Sequence, residues 1–147
     1  MCIRDRINYM KQCFPGSSVL VMGICDRSMQ RDGEFETMPS VPGMIAAQRS
    51  AAEQAGVAFW NTFDAMGGHN SMVRFVEKHW AAKDYTHIGY TGGKYVADRL
   101  VDALITGVDS MRREIELRER IDRLLKYDSA AIDFRVPDTA LPLQPSL

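Results

Sequence analysis

The sequence lacks three features that would each point to a class of protein: a long apolar run, a rich set of cysteines and an excess of one charge. No apolar run approaches the ~20 residues that are needed to span a bilayer. The net charge of -1 over 147 residues gives no electrostatic reason to expect nucleic acid or an anionic membrane as a partner. With 46% hydrophobic residues, the composition is that of one ordinary globular domain.

Cysteine occurs only as Cys2, Cys13 and Cys25. The set is odd in number and has no C-x-x-C spacing, which argues against a disulfide framework and against a zinc site. We expect Cys13 and Cys25 to be small buried hydrophobic residues. His69 and His79 have no further ligands at a useful spacing, so the sequence predicts no metal and no cofactor.

Residues 1–6 lead into no apolar segment, so the chain as written has no signal peptide and would stay in the cytoplasm. They join abruptly to sequence of mid-domain character, and we expect them to be a non-native start. On that interpretation the localisation of the parent protein is open, and export to the periplasm or the medium remains an alternative.

The apolar pattern predicts an α/β fold with a parallel sheet. Two short runs, 19–24 and 57–60, are almost wholly apolar and are expected to be strands buried on both faces. Two strands are too few for a covered sheet, so the chain has the pattern of part of a domain. The other predicted elements are the end of a helix at 7–14, a polar loop at 25–42, a helix at 43–55 ended by Gly56, a helix capped by Ser71 that runs towards Trp80, and a helix capped by Thr91.

A change of character after Gly107 divides the chain. The sequence predicts a domain at 7–106, a charged amphipathic helix at 107–126 and a flexible tail at 127–147. The charged helix keeps a thin apolar stripe of Met111, Ile115, Ile121 and Leu125. This stripe either docks on the domain or meets another copy of itself, so the sequence leaves the oligomeric state open.

Asp84 and His87 are three residues apart in a loop before the helix that Thr91 opens. A hydrolase needs an imidazole that takes a proton from its nucleophile, and a carboxylate that orients this ring. Two residues of one short loop supply both groups. On spacing alone, the alternative is an ordinary surface loop, because D-x-x-H often arises by chance.

The surroundings of this motif resemble the C-terminal half of bacterial SGNH hydrolases, also called GDSL esterases. The resemblance covers roughly residues 15–106 and rests on the D-x-x-H block of Lys83-Asp-Tyr-Thr-His87 and on the order of the preceding segments: Val19–Ile24 ending in Asp26-Arg27, Thr37-Met-Pro39, an Ala-rich helix, Gly56-Val-Ala-Phe-Trp60 and Phe63-Asp-Ala-Met-Gly-Gly68. It implies that His87 is the general base and Asp84 its orienting partner. It also implies a three-layer α/β/α sandwich with a parallel sheet of about five strands, flavodoxin-like in style.

Three other blocks of that family are absent from this sequence. They are the G-D-S turn with the nucleophilic serine, the block with an oxyanion-hole glycine, and the G-x-N-D block with an oxyanion-hole asparagine. In the family all three precede the strand placed here at Val19, which only eighteen residues precede. One oxyanion donor alone is worth ~10²–10³ in rate, so we expect this chain to be inactive by itself.

The sequence thus predicts a fragment of a serine ester hydrolase. Since some family members act on acetyl esters of carbohydrates or peptidoglycan, the expected substrate is a small-molecule or carbohydrate ester that carries an acetyl or another short acyl group. The alternative from another class is a non-catalytic binding or assembly module that uses the charged helix.

Several other residues have competing interpretations. Ser17 and Ser18 precede a strand, which is the wrong order for a nucleophile elbow, so we interpret them as turn residues. Cys25 could complete a triad with the Asp84–His87 pair, but no oxyanion hole accompanies it and a packed cysteine is favoured. The remaining candidates are Asp26, Arg27 and Arg31 as substrate contacts or, slightly favoured, solvated charges; Trp60 and Trp80 as core or near-core aromatics; and Gly92-Gly93 as a helix start.

Overall fold

The structure, a computed structural model, describes the backbone of residues 2–131 and the side chains of residues 2–126. Most of the predicted tail, residues 132–147, therefore lies outside the described residues. The chain divides into two compact units, Met1–Leu104 and Ile105–Leu147. The elements are, in order, α1 (Ile3–Cys13), β1 (Leu20–Met22), β2 (Ser28–Arg31), β3 (Glu34–Thr37), α2 (Ser40–Gln54), β4 (Ala58–Trp60), α3 (Thr62–Met66), α4 (Ser71–Glu77) and α5 (Tyr90–Ala131).

Strands β1 and β4 pair in parallel, with Leu20 opposite Ala58 and Met22 opposite Trp60. Helix α2 lies between them in the sequence and contacts both, as expected for parallel neighbours, which need a crossover connection. The predicted α/β class with a parallel sheet is confirmed. The arrangement is consistent with part of an SGNH-like α/β fold.

The expectation that both strands are buried on both faces is wrong. Leu20 and Met22 are 37% and 47% exposed. The physical reason is that β1 has one strand neighbour, β4, within the described part of the chain. A two-stranded sheet cannot enclose its own side chains, so an apolar sequence does not by itself produce a buried strand.

The predicted polar loop at 25–42 is also wrong in part, because it contains a β-hairpin. Strands β2 and β3 pair antiparallel, with Ser28 opposite Thr37. Asp32 and Gly33 form the turn, and both have positive φ, 51° and 88°. An Asp-Gly pair with this geometry is the usual two-residue hairpin connection, and it was the signal in the sequence that the loop prediction missed.

The helix boundaries differ from the predicted ones by a few residues. Gly56 has a φ of 62° just beyond the C-cap of α2, which confirms its predicted position. Helix α4 starts at Ser71 after an N-cap at Asn70 and ends at Glu77, short of Trp80. Helix α5 starts at Tyr90, so Thr91 lies inside its first turn and is not its cap. The helix continues through Gly107 to Ala131, which includes the first residues of the predicted tail.

Two apolar clusters form the core of the first unit. One contains Val41, Ile45 and Phe63 and joins α2 to α3. The other contains Met66, Met72, Phe75 and Val96, with half-buried Trp60, Trp80, Ala81, Tyr85 and Ile88 packed against it. Both tryptophans are thus near-core residues, as predicted. The second cluster lies under residues 80–88 and therefore supports the segment that carries Asp84 and His87.

No helix within residues 2–131 combines the length and the apolar character that a membrane span needs. The expectation for the cysteines is wrong at Cys13, which is exposed at the end of α1. Cys25 is half-buried. The predicted helix end at 7–14 is part of α1, in which Ile7 is the one buried residue.

Candidate active site

The side chains of Asp84 and His87 contact each other directly. Nδ1 of His87 lies 2.6 Å from Oδ2 of Asp84. The other carboxylate oxygen, Oδ1, accepts the backbone N–H groups of Thr86 at 2.9 Å and His87 at 3.0 Å. The side-chain hydrogen bond from His87, followed by these two backbone bonds, lowers the pKa of Asp84 from 3.8 to about 2.

This geometry determines the proton arrangement of the pair. An ionised carboxylate only accepts hydrogen bonds, so Nδ1 of His87 must carry the proton that is shared with Asp84. In the neutral ring, Nε2 is then the acceptor. The His87 side chain is 79% exposed, and Asp84 is the one hydrogen-bonding partner of its ring among the residues that the structure describes. Nε2 is therefore free to take a proton from another group.

The loop that carries the pair is closed by its own backbone. The N–H of Ala82 donates to the carbonyl of His87 at 2.8 Å, and the N–H of Gly89 donates to the carbonyl of Trp80 at 2.8 Å. Ala81 and Ile88 form an isolated antiparallel bridge between these bonds. Since Trp80 and Ile88 pack on the core, the loop has a fixed base beneath an exposed tip.

Gly92 allows helix α5 to start against this base. A β-carbon at position 92 would overlap the carbonyl oxygen of Trp80 and the side chain of Ile88. At Gly93 the corresponding space is open. The prediction that Gly92-Gly93 marks a helix start is confirmed, since both lie in the first turn of α5, but only Gly92 is required by close packing.

The β2–β3 hairpin lies against the tip of the loop. The rings of Phe35 and Tyr85 stack with centroids 3.6 Å apart and an interplanar angle of 8°. The N–H of Ser28 donates to the carbonyl of Tyr85 at 3.0 Å. This stack was not predicted, because residues 25–42 were expected to form a polar loop without strands, and a ring contact between Phe35 and Tyr85 leaves no local pattern in the sequence.

Asp26 is not a solvated charge, contrary to the slightly favoured expectation, since only 1% of it is exposed. Its Oδ2 accepts the backbone N–H of Met72 at 2.8 Å and the hydroxyl of Ser71 at 3.2 Å. Asp26 therefore caps the start of α4 from a distant part of the sequence. Arg31 is exposed on the hairpin, and its Nη1 lies 3.6 Å from Oε1 of Glu36.

The structure does not assemble a triad from Cys25. Burial and, secondarily, the charge of Asp26 raise the pKa of the Cys25 thiol, which opposes formation of a nucleophilic thiolate. Cys25 makes no hydrogen bond to His87. Ser17 and Ser18 line a shallow groove with Lys11, Val19, Gly56, Val57 and Ala58, at the N-terminal ends of β1 and β4.

His69 and His79 do not come together in a ligand set. His69 packs edge-on against Phe63, with centroids 6.2 Å apart. Within residues 2–126, no group of three or more histidine, cysteine, aspartate or glutamate side chains is placed to hold a metal ion.

Comparison with known proteins gives one informative structural likeness. No family model and no curated protein matches the chain. The solved structure of a peptidoglycan O-acetylesterase is similar to this chain, with 27% sequence identity and a TM-score of 0.64. The match covers 73% of this chain but 31% of the solved chain, so this chain spans about a third of the length of that protein.

Proposed function

We propose that this chain is the acid–base part of a serine ester hydrolase that removes acetyl or other short acyl groups from carbohydrate or peptidoglycan-like substrates. The observation that carries the proposal is the 2.6 Å contact between His87 Nδ1 and Asp84 Oδ2 in an exposed loop. The likeness to a peptidoglycan O-acetylesterase supports an acetylesterase-like activity and suggests the substrate class.

In the proposed reaction, His87 is the general base and Asp84 orients it. Nε2 of His87 takes the proton from a serine hydroxyl while the serine oxygen attacks the ester carbonyl carbon. The bond between this carbon and the alcohol oxygen then breaks, and the imidazolium returns the proton to the leaving alcohol. Water, which gives a proton to the same nitrogen, then attacks the acyl carbon; the bond between this carbon and the serine oxygen breaks, and the imidazolium returns the proton to the serine as the acid leaves.

The serine and the oxyanion donors of this scheme come from sequence that this chain does not contain. No G-D-S turn and no G-x-N-D block occurs in it. The chain by itself is therefore expected to hydrolyse 4-nitrophenyl acetate no faster than a matched sample of unfolded chain. A rate within about tenfold of a complete esterase would contradict this expectation, since loss of a single oxyanion donor already costs ~10²–10³.

A chimera tests the assignment of the pair. The matched third of the solved peptidoglycan O-acetylesterase is replaced by the matched segment of this chain, so that His87 and Asp84 serve a nucleophile from the other protein. His87→Ala should lower the rate of ester hydrolysis by ~10³ or more. His79→Asn is the matched control, because His79 is exposed and has a φ of 57° that asparagine tolerates. A folded chimera whose activity does not depend on His87 would contradict the proposal.

A second candidate function follows from the exposed apolar side chains of the second unit. Within it, the apolar residues of α5 are 45–63% exposed, namely Ile105, Val108, Met111, Ile115, Leu117, Ile121, Leu124 and Leu125. A helix of this kind is a surface for binding or assembly. Analytical ultracentrifugation of the chain and of the Ile115→Asp variant tests this candidate. If the helix is an assembly surface, the wild-type chain sediments as a complex and the variant sediments as a smaller species.

A further inference from the structure

We propose that Phe35 and Tyr85 are positioning residues that hold the Asp84–His87 loop in the conformation in which these two side chains meet. The proposal deepens the proposed function and rests on it for the role of His87. Phe35 is 49 positions away from Asp84 in the sequence and touches neither member of the pair by any hydrogen bond or ring contact. Its effect would be transmitted through Tyr85.

The backbone of Tyr85 has an uncommon conformation. Its φ of 55° is in the left-handed region, which is uncommon for a bulky residue and persists only where the surroundings hold it. Tyr85 lies between Asp84 and the N–H groups of Thr86 and His87, both of which donate to Asp84 Oδ1. Since the turn at Tyr85 returns these groups towards Asp84, relaxation of Tyr85 to negative φ would pull the carboxylate away from His87.

Two contacts with the hairpin hold Tyr85 in this conformation. Its ring lies nearly parallel to that of Phe35, and its carbonyl accepts the N–H of Ser28. Both partners belong to the β2–β3 hairpin, one on each strand. The hairpin thus contacts Tyr85 both at its ring and at its backbone carbonyl.

The β2–β3 hairpin is itself anchored at its base. The N–H of Thr37 donates to Oδ1 of Asn70 at 2.9 Å, and the N–H of Asn70 donates back to the hydroxyl of Thr37 at 2.7 Å. The N–H of Met38 donates to the carbonyl of Arg27 at 2.8 Å. Because the base of the hairpin is tied in this way beside α4, the hairpin is a fixed support for the loop and does not merely follow it.

These contacts matter because His87 has little packing of its own. Its side chain is 79% exposed, so the orientation of the ring depends on the conformation of the loop. A positioning role therefore predicts a specific change when the stack is removed: the ring should lose its preference for the proton on Nδ1, even when the chain stays folded.

The test uses this chain labelled with ¹⁵N-histidine and long-range ¹H–¹⁵N spectra in mildly alkaline buffer, which report the nitrogen that carries the proton. The signals of His87 are assigned with His87→Gln. Wild type should show mainly the Nδ1–H tautomer, whereas Phe35→Ala should shift His87 to the Nε2–H tautomer that free histidine prefers. Phe35→Tyr, which keeps a ring at this position, should restore the wild-type spectrum.

Two further variants make the result specific. Met29→Ala is the matched control: Met29 is an exposed residue of the same hairpin, on the face opposite to Phe35 according to the strand register. Tyr85→Ala removes the ring from the other side of the stack and leaves a residue with no special tolerance of positive φ. It should reproduce the Phe35→Ala spectrum, and it decides the question if Phe35→Ala does not fold.

The proposal is overturned if folded Phe35→Ala or Tyr85→Ala retains the Nδ1–H tautomer of His87, or if Met29→Ala loses it to the same extent. These spectra do not depend on ester hydrolysis. A chimera whose rate of ester hydrolysis does not depend on His87 would contradict the proposed function, whereas an unchanged His87 tautomer in the stack variants would contradict only the positioning role.

Discussion

The carboxylate of Asp26 accepts the backbone N–H of Met72 at a distance of 2.8 Å, although the two residues are 46 positions apart in the sequence. This bond joins the segment after β1 to the first turn of α4, where the backbone N–H groups have no partners within the helix. Both residues are almost wholly buried. The bond therefore connects the sheet to the helix whose residues Met72 and Phe75 support the candidate site.

Asp26→Ala should destabilise the fold by about 2–3 kcal/mol, because it leaves the N–H of Met72 and the hydroxyl of Ser71 buried without their acceptor. Urea unfolding followed by circular dichroism measures the difference. Asp102→Ala is the control, since Asp102 is exposed on α5 and such changes stay within about 0.5 kcal/mol. Equal stability of the two variants would show that the Asp26 bonds do not hold α4.

The pKa of Asp84 should be about 2 in the folded chain, as measured by the pH dependence of its side-chain ¹³C signal. His87→Gln should raise this pKa, because the largest contribution to the lowering is the His87 side-chain bond. The pKa should stay below 3.8, since the backbone N–H groups of residues 86 and 87 still donate to the carboxylate. An Asp84 signal that titrates near 3.8 in wild type would contradict the pairing.

The same pKa fixes the sign of the pH effect on stability. Because the pKa of folded Asp84 is below its ordinary value of 3.8, its contribution to stability is fully present above that value and is lost as the pH falls towards 2. Unfolding measured between neutral and acidic pH should thus show a smaller acid-induced loss in Asp84→Asn than in wild type. A larger loss in the variant would be the wrong sign.

Gly92→Ala should destabilise the chain by ~1–3 kcal/mol, because the added methyl group would overlap the Trp80 carbonyl and Ile88. Gly93→Ala, one residue further, meets open space and should be neutral or stabilising by up to about 1 kcal/mol. Thermal unfolding of both variants separates the two effects. Matching changes in the two would indicate that α5 does not start against Trp80.

Cys25 should react with iodoacetamide more slowly than Cys2 and Cys13. The latter two are exposed, whereas burial raises the pKa of Cys25 and reduces its thiolate fraction. Mass spectrometry of partly alkylated folded chain gives the order of reaction. A faster reaction at Cys25 would revive the cysteine as a candidate nucleophile.

Much of the local structure could be predicted because it follows from short-range patterns. The apolar runs at 19–24 and 57–60 predicted the parallel strands, which the structure has at Leu20–Met22 and Ala58–Trp60, and Gly56 predicted the end of α2. Asp84 and His87 could be chosen as candidates because both groups lie within four residues of one loop, and their role stays a prediction. The hairpin was not predicted although Asp32-Gly33 is a known turn signal, because polar strands with one face in solvent have little apolar pattern to detect.

The sequence by itself determined the α/β class, the choice of Asp84 and His87 as the candidate pair and the ends of several elements, since propensity, spacing and glycine positions act over a few neighbouring residues. Only the tertiary structure decided that Asp26 is buried at the start of α4, that Phe35 stacks on Tyr85, and that β1 is exposed beside β4, its one partner strand within residues 2–131. These features join residues 46, 50 and 38 positions apart. The burial and partners of a side chain at such distances depend on how the elements pack, which no local pattern records.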